Sequence, residues 1–139
     1  MPETRLPSRA EAYSLLREFV TSESLVHHCL AVEAAMRAYA RKLGADEEKW
    51  GVVGLLHDFD YERWPNPPDH PLKGSEILRE RGYPEEVITA ILAHADYLSD
   101  RYQRVRPLEK ALYACDELAA GLEDVGNLSQ RHRSRPYIA

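Results

Sequence analysis

The apolar residues of this chain recur at helical spacing in segments that short polar connections separate. The first segment begins at a capping box, "SRAE" from Ser8 to Glu11, and its apolar positions then return every three or four residues. No segment combines strict alternation with β-branched residues, the pattern typical of strands. The sequence therefore predicts an all-α, single-domain bundle of about six helices.

Glycine and proline mark where the later helices begin and end. We predict these helices over Ser22 to Leu43 with Gly44 as a stop, Asp46 to Asp58, Pro71 to Gly82, Pro84 to about His94, and Pro107 to Leu122. The proline-rich stretch "YERWPNPPD" before the fourth helix is predicted as a surface loop. We divide the chain into an N-terminal helix that packs on the core (1–20), a main domain (21–122) and a polar C-terminal tail (123–139).

Several of these helices turn a histidine or a carboxylate toward their apolar face. At about 100° per residue, His28 lies at the edge of the apolar stripe of the second helix, whereas His27 points to solvent. The same spacing puts His57, His94 and Asp116 on the inward faces of three further helices. The stripe of the second helix is predicted to comprise Leu25, Cys29, Val32, Met36, Tyr39 and Leu43.

These inward-facing groups together favour a metal site. A single buried histidine is more often a hydrogen-bonded core residue, and Asp116 alone could pair with a tyrosine. Several buried ionisable groups each need compensation, however, and one or two shared metal ions compensate all of them. His57 and Asp58 can converge on one ion only near a helix end, and the helical period is lost directly after them, at "FDYERWP". Mixed imidazole and carboxylate ligands suit Mn, Fe, Co, Ni or Zn.

Four of these residues, in their order along the chain, also carry a family resemblance. His28, the pair His57-Asp58 and Asp116 resemble the H…HD…D motif of the HD-domain superfamily of metal-dependent phosphohydrolases. The resemblance covers roughly residues 20–120, and "LLHDFDYE", "HPLKGSEIL" and "ACDELA" are similar to the motifs of small bacterial proteins with an HDIG-type domain. It implies an HD-type helical bundle in which these four residues hold one metal ion.

The resemblance also implies a place for a second ion. Family members with two metal ions have two more histidines between the HD pair and the last aspartate, and His70 and His94 occupy those places here, with Asp58 as the bridge. His94 has an independent argument, because its helix face points inward. His70, directly before Pro71, is alternatively a neighbour of a helix N-cap with no ligand role.

The function implied by the resemblance is hydrolysis of a phosphate ester. We expect a phosphomonoesterase or phosphodiesterase that uses a metal-activated water on a nucleotide or another small phosphorylated compound. Asp58 would act in catalysis as a bridging ligand, Lys73 would orient the phosphate from the first turn of its helix, and Asp60 would orient a ligand or transfer a proton. For Lys73 a solvated surface position, and for Asp60 a plain loop position, are the alternatives. Other functions compatible with the same ligands are a mixed-valent di-iron oxygenase and a non-catalytic module that binds metal or nucleotide.

Composition narrows the range of partners. The net charge of −5 argues against binding duplex nucleic acid, and no apolar run is long enough to span a bilayer or to act as a secretory signal. We therefore expect a cytoplasmic protein with no membrane partner. Cys29 and Cys115 fall within apolar helical patterns and are predicted to be reduced core thiols. The polar tail is short for this family, which raises the possibility of a homodimer whose partner subunit completes the pocket.

Overall fold

The computed structural model describes the backbone of residues 5–126 and the side chains of residues 5–121. This part of the chain contains six α-helices, one short 3₁₀ helix and no strand, so the all-α prediction is confirmed. The helices are α1 (Arg9–Phe19), α2 (Glu23–Leu43), α3 (Glu47–Leu56), α4 (Asp69–Glu80), α5 (Glu85–Ala93), the 3₁₀ helix (Asp96–Leu98) and α6 (Pro107–Gly126).

Helix α3 occupies the centre of the bundle. Each of its residues from Trp50 to Leu56 is buried, as expected of a helix that is apolar on all sides. It packs against α1, α2, α5 and α6, while α4 packs on α5. Gly54 allows the close approach of α2, because a Cβ at this position would lie only 3.0 Å from the main chain of Val32 and Glu33. The end of α3 is therefore surrounded by the other helices.

Most of the helix ends follow the signals in the sequence. The capping box is present, since Ser8 Oγ accepts from the Glu11 amide and the Glu11 carboxylate accepts from the Ser8 amide. Gly44 ends α2 in the left-handed region, with φ of 69°. At the start of α2, the Glu62 carboxylate accepts from the amides of Thr21 and Ser22 and so ties the proline-rich loop to this helix.

The structure corrects three predicted boundaries. Helix α3 ends at Leu56, so His57 is its C-cap and Asp58 lies in the following turn rather than in the helix. The fourth segment includes Asp69, but His70 and Pro71 have non-helical dihedrals, and regular helix begins only after them. Helix α6 extends to Gly126. The remainder of the predicted tail, residues 127–139, lies outside the described residues.

One part of the predicted core is wrong. Tyr39 and Leu43 are 43% and 59% exposed, although the sequence pattern predicts them in the apolar stripe of α2. The buried face of α2 instead continues from Met36 to Ala40, which leaves Tyr39 facing solvent. Leu43 lies in the last turn, directly before the C-cap. His28 is buried and His27 exposed, as predicted.

The two cysteines are buried and unpaired, which confirms their prediction as core thiols. Burial raises the pKa of the Cys29 thiol to about 12 and that of Cys115 to about 11, so neither is a thiolate near neutral pH. Among the helices described here, none has the length and apolar content needed to cross a membrane.

Candidate metal centre

Five helices or their ends bring six histidine and aspartate side chains to one buried place. His28 comes from the second turn of α2 and Asp116 from the middle of α6. His57 and Asp58 lie where α3 ends, as the loss of helical period predicted. The remaining two are His94, which is the C-cap of α5, and His70, at the start of α4. All six are buried, with exposures between 0% and 8%.

The first cluster joins His28, His57, Asp58 and Asp116. The Nε2 atoms of His28 and His57 lie 3.2 Å apart, and they face Asp116 Oδ1 at 2.9 Å and 3.2 Å respectively. Asp58 Oδ2 lies 3.5 Å from His28 Nε2 and 3.2 Å from His57 Nε2. One ligand atom from each of the four residues therefore lies within 4.8 Å of the others, a spacing that suits a single metal ion.

The second cluster joins Asp58, His70 and His94. His70 Nε2 lies 3.2 Å from Asp58 Oδ1, and His94 Nε2 lies 3.4 Å from the same oxygen. Asp58 thus presents Oδ2 to the first cluster and Oδ1 to the second, the arrangement of a carboxylate that bridges two ions. The two clusters contain all six residues predicted as ligands. Their role as ligands stays a prediction.

The hydrogen bonds of the other ring nitrogen determine the tautomers of His57 and His94. His57 Nδ1 lies 2.7 Å from the carbonyl oxygen of Gly54, and His94 Nδ1 contacts the carbonyl oxygen of Ile91. Because a carbonyl oxygen can only accept, each Nδ1 must carry the hydrogen and donate it. In the neutral ring Nε2 then holds a lone pair, and in both rings that lone pair is directed at Asp58. Metal-bound histidines in proteins commonly show this arrangement.

His70 has the same arrangement with a carboxylate as acceptor. Its Nδ1 donates to Asp60 Oδ1 at 2.6 Å, which leaves Nε2 facing Asp58. The other oxygen of Asp60 accepts from the Gly74 amide at 2.9 Å, in the first regular turn of α4 after Pro71. A residue larger than glycine would not fit at position 74, because a Cβ there would lie 2.7 Å from Asp60 Oδ2. Asp60 is thus held from two sides, behind His70 and away from Asp58.

Asp58 Oδ2 tests whether this set of donors fits a metal ion. This oxygen is buried and makes no hydrogen bond within the described structure, although His57 and His28 lie near it. The contact with His57 sets a carboxylate oxygen against an imidazole lone pair, which is unfavourable unless a cation or an extra proton lies between them. Because the acceptors converge and one of them has no donor, the residues fit a divalent cation.

Without metal, protons on the imidazoles must offset the buried carboxylates. Burial alone would lower the pKa of His57, but the charges of Asp58 and Asp116 outweigh it and raise the pKa well above its usual value. Burial likewise opposes ionisation of Asp58, yet the charge of His57 holds the pKa of this carboxyl well below its usual value. The pKa of His70 rises to about 9, since hydrogen bonds to Asp58 and Asp60 outweigh its burial. The buried carboxylates of the two clusters therefore favour a bound cation, either a proton or a metal ion.

Other residues of α4 and of the proline-rich loop surround this centre. Lys73 is exposed and forms no ion pair with a described residue, so the structure brings it to the first turns of α4 but into no contact with the clusters. Trp64 packs toward Phe19, with ring centroids 6.4 Å apart, as an anchor of the loop. Tyr61 lies with its ring 5.3 Å from that of His70, almost at a right angle.

The comparison with known families agrees with the geometry. Residues 25–121 match the HD domain, which is more than half of the chain. The chain belongs to the HD domain family. This membership places it in a superfamily of metal-dependent phosphohydrolases, and it confirms the resemblance of the motif residues. All six buried candidate ligands lie within the matched part of the HD domain.

Two relatives of this HD domain protein differ widely in what their names state. An uncharacterized protein of Methanocaldococcus jannaschii is 37% identical over 82 residues, which are 55% of this chain and 47% of that protein. Ribonuclease Y of Thermosipho melanesiensis is 30% identical over 118 residues, which are 78% of this chain and 22% of the enzyme. The chain therefore spans less than half of the first relative and about a fifth of the second.

Two residues at the site escaped the sequence analysis. Gly74 had a readable signal, a glycine inside a predicted helix with no turn to explain it, which often marks a close approach. Tyr97, whose hydroxyl donates to the main-chain carbonyl of His70, had none, because the two residues are 27 positions apart. Only the folded chain brings them together.

Proposed function

We propose that this HD domain protein is a metal-dependent phosphohydrolase that acts on a nucleotide or another small phosphorylated compound. The observation that carries the proposal is Asp58, a buried carboxylate whose two oxygens face two separate groups of imidazoles. With neutral imidazoles this arrangement would destabilise a purely structural core, because each group sets acceptors against acceptors. Family membership supplies the reaction class.

The chain offers ligands for one or two ions. His28, His57, Asp58 and Asp116 would hold the first, and His70 and His94 would hold the second together with Asp58. Imidazole and carboxylate ligands in this proportion suit Mn, Fe, Co, Ni or Zn rather than Ca or Mg. When bound, such ions supply Lewis acidity toward phosphoryl oxygens and lower the pKa of water.

The residues around the ligands have separate tasks in this proposal. Asp60 fixes the tautomer and the direction of His70, because it accepts the Nδ1 hydrogen at 2.6 Å. In the same proposal, Asp60 also accepts a proton during turnover. Lys73 is free of protein partners among the described residues and lies near the N-terminal end of α4, where an anion is favoured, so it would orient the phosphate group.

The relatives guide the choice of substrates to be tested. One relative is named a ribonuclease, which means that phosphodiesters of RNA belong among the candidates beside phosphomonoesters. Single-stranded RNA is compatible with our expectation that duplex nucleic acid is not a partner. The net charge of −5 is also more easily reconciled with a small ligand held by metal ions than with a long polyanion.

The test is metal analysis of the purified protein followed by a substrate panel with Mn²⁺ or Co²⁺. The panel contains nucleoside monophosphates, p-nitrophenyl phosphate, its bis ester and a short single-stranded RNA. We expect phosphate or phosphodiester hydrolysis that disappears in the double variant His57→Ala/Asp58→Ala. The matched control is His27→Ala, which removes the exposed neighbour of His28 and should keep full activity. Activity that survives in the double variant would refute the proposal, as would tightly bound iron with an oxygen-dependent spectrum and no hydrolysis.

A further inference from the structure

Tyr97 is not a candidate metal ligand, but it contacts the main chain of His70, which is one. It belongs to the 3₁₀ helix that follows His94 after one intervening residue. Tyr97 is 46% exposed, and its hydroxyl donates to the main-chain carbonyl of His70. The side chain therefore connects the two chain segments that supply the histidines of the second cluster.

The carbonyl of His70 lacks the partner that a helix would give it. In an α-helix this oxygen would accept from the amide four residues later, at Gly74. Here the Gly74 amide donates to Asp60 Oδ2, at 2.9 Å. His70 also has ψ of 125°, far from the helical value, so its carbonyl does not point along the axis of α4. The Tyr97 hydroxyl takes the place of the missing donor.

The hydrogen bond from the Gly74 amide to Asp60 also determines the position of the His70 ring. Because the Gly74 amide is used by Asp60, that carboxylate can accept from His70 Nδ1 and direct Nε2 at Asp58. The ring is thus held by Asp60, while the main chain behind it is held by Tyr97. Without the hydroxyl, the His70 carbonyl would lose this side-chain donor, and the non-helical residues at the start of α4 would lose their connection to the segment after α5.

We infer that Tyr97 is a positioning residue for a second metal ion, whose hydroxyl holds the main chain of His70 so that its ring faces Asp58 beside His94. The inference rests on the proposed metal site, but it concerns only the cluster of Asp58, His70 and His94. The first cluster receives no residue from either segment that Tyr97 connects. The effect of removing the hydroxyl is therefore confined to one of the two ions.

The experiment compares Tyr97→Phe with a matched control, Tyr113→Phe. Each substitution removes one hydrogen-bonded tyrosine hydroxyl. Tyr113 donates to Asp96 Oδ2 of the 3₁₀ helix at 3.3 Å, whereas Tyr97, a member of that helix, donates to the His70 carbonyl. Metal-free full-length protein is titrated with Co²⁺ and followed by its visible absorption, with metal content after equilibrium dialysis as the second readout. The melting temperature of the metal-free variants is measured in parallel.

We expect the wild type and Tyr113→Phe to bind two ions with the same affinities. Tyr97→Phe should bind the first ion unchanged and the second about 10- to 100-fold more weakly, the usual cost of losing a residue that orients a ligand. Equal affinity of Tyr97→Phe for both ions would overturn the inference and leave the proposed function intact. Loss of both ions with a lowered melting temperature, or the same weakening in Tyr113→Phe, would also overturn it, because the role would then be general support. A wild-type protein that binds one ion removes the inference alone, and one that binds none removes the proposed function as well.

Discussion

Two buried groups of charges in this protein are built in opposite ways. Glu33, on α2, is 5% exposed. It accepts from Nε and Nη2 of Arg9, each at 3.0 Å, and from Arg37 Nε at 3.1 Å. Asp58 is 1% exposed, yet in the described part of the chain no lysine or arginine forms an ion pair with it. The first carboxylate is satisfied by permanent cations of the protein, and the second faces only groups that can lose their charge.

The difference separates a structural ion pair from a binding site. A guanidinium stays charged at every physiological pH and fits a carboxylate with two hydrogen bonds, so the Glu33 group is complete by itself. An imidazole is either a proton donor or a metal ligand, depending on what its Nε2 carries. The four histidines around the two clusters therefore leave the Asp58 region dependent on a proton or a metal ion. Breaking each group should have different consequences.

The largest effect should follow Asp58→Ala, which removes the carboxylate shared by both clusters. We expect loss of bound metal at both positions and a fall in hydrolytic activity by at least about 1,000-fold, comparable with losses on removing a residue central to an active site. The metal-free variant should melt lower than the wild type, because the charged imidazoles lose the buried carboxylate that offsets them. Metal content by mass spectrometry and thermal melts in a chelator measure both results. Full metal occupancy in this variant would contradict the two-cluster geometry.

A smaller effect on the same region is expected from Asp60→Asn. The amide has one acceptor oxygen, so it cannot accept from both His70 Nδ1 and the Gly74 amide, and the ring of His70 loses its fixed tautomer. Metal affinity at the second cluster should fall by about 10- to 100-fold, while the first cluster keeps its ion. Isothermal titration with Mn²⁺ distinguishes the two steps. If Asp60 is instead a direct proton acceptor, activity will be lost with both affinities unchanged.

Glu33→Gln tests the other group and should leave metal binding alone. The neutral amide accepts less strongly from Arg9 and Arg37, and the change should lower the free energy of unfolding by about 2 kcal/mol, the scale of a hydrogen bond to a charged partner. Urea unfolding in the presence of a chelator measures this value. Weakened metal binding in this variant would show that the Glu33 group and the metal clusters are coupled, and would contradict their independence.

The sequence predicts much of this fold because its helices are locally specified. The capping box at Ser8, the stop at Gly44 and the prolines at the starts of α5 and α6 act within a few residues, so they can be read directly. The inward direction of His28 and His94 follows from helical periodicity in the same way. Where the period ends, at Asp58 and Asp60, the sequence places the residues near the site but cannot give the direction of their side chains.

The contacts that could not be predicted join distant parts of the chain. Arg37 is four residues from Glu33 and readable as a helical pair, but Arg9 reaches Glu33 from 24 positions away through the packing of α1. Tyr97 and His70 likewise meet only after α4 and α5 have packed together. The same holds for Gly74, whose signal in the sequence indicated a close approach without naming Asp60 as the neighbour.

Proton release on metal binding is the smallest effect that distinguishes the two groups. In the metal-free protein the pKa of His70 is about 9, so at pH 7 the ring carries a proton that metal must displace. Apparent affinity at the second cluster should therefore rise with pH, by up to about 10-fold per unit between pH 7 and 8.5, for one proton released. The Glu33 group binds no titrating cation and contributes nothing to this dependence. Calorimetric titrations in two buffers of different ionisation enthalpy count the protons, and His70→Ala should remove the pH-dependent part together with the second ion. Affinity that stays constant over this range in the wild type would mean that His70 is already neutral in the metal-free protein, and that Asp58 draws its counter-charge from the first cluster alone.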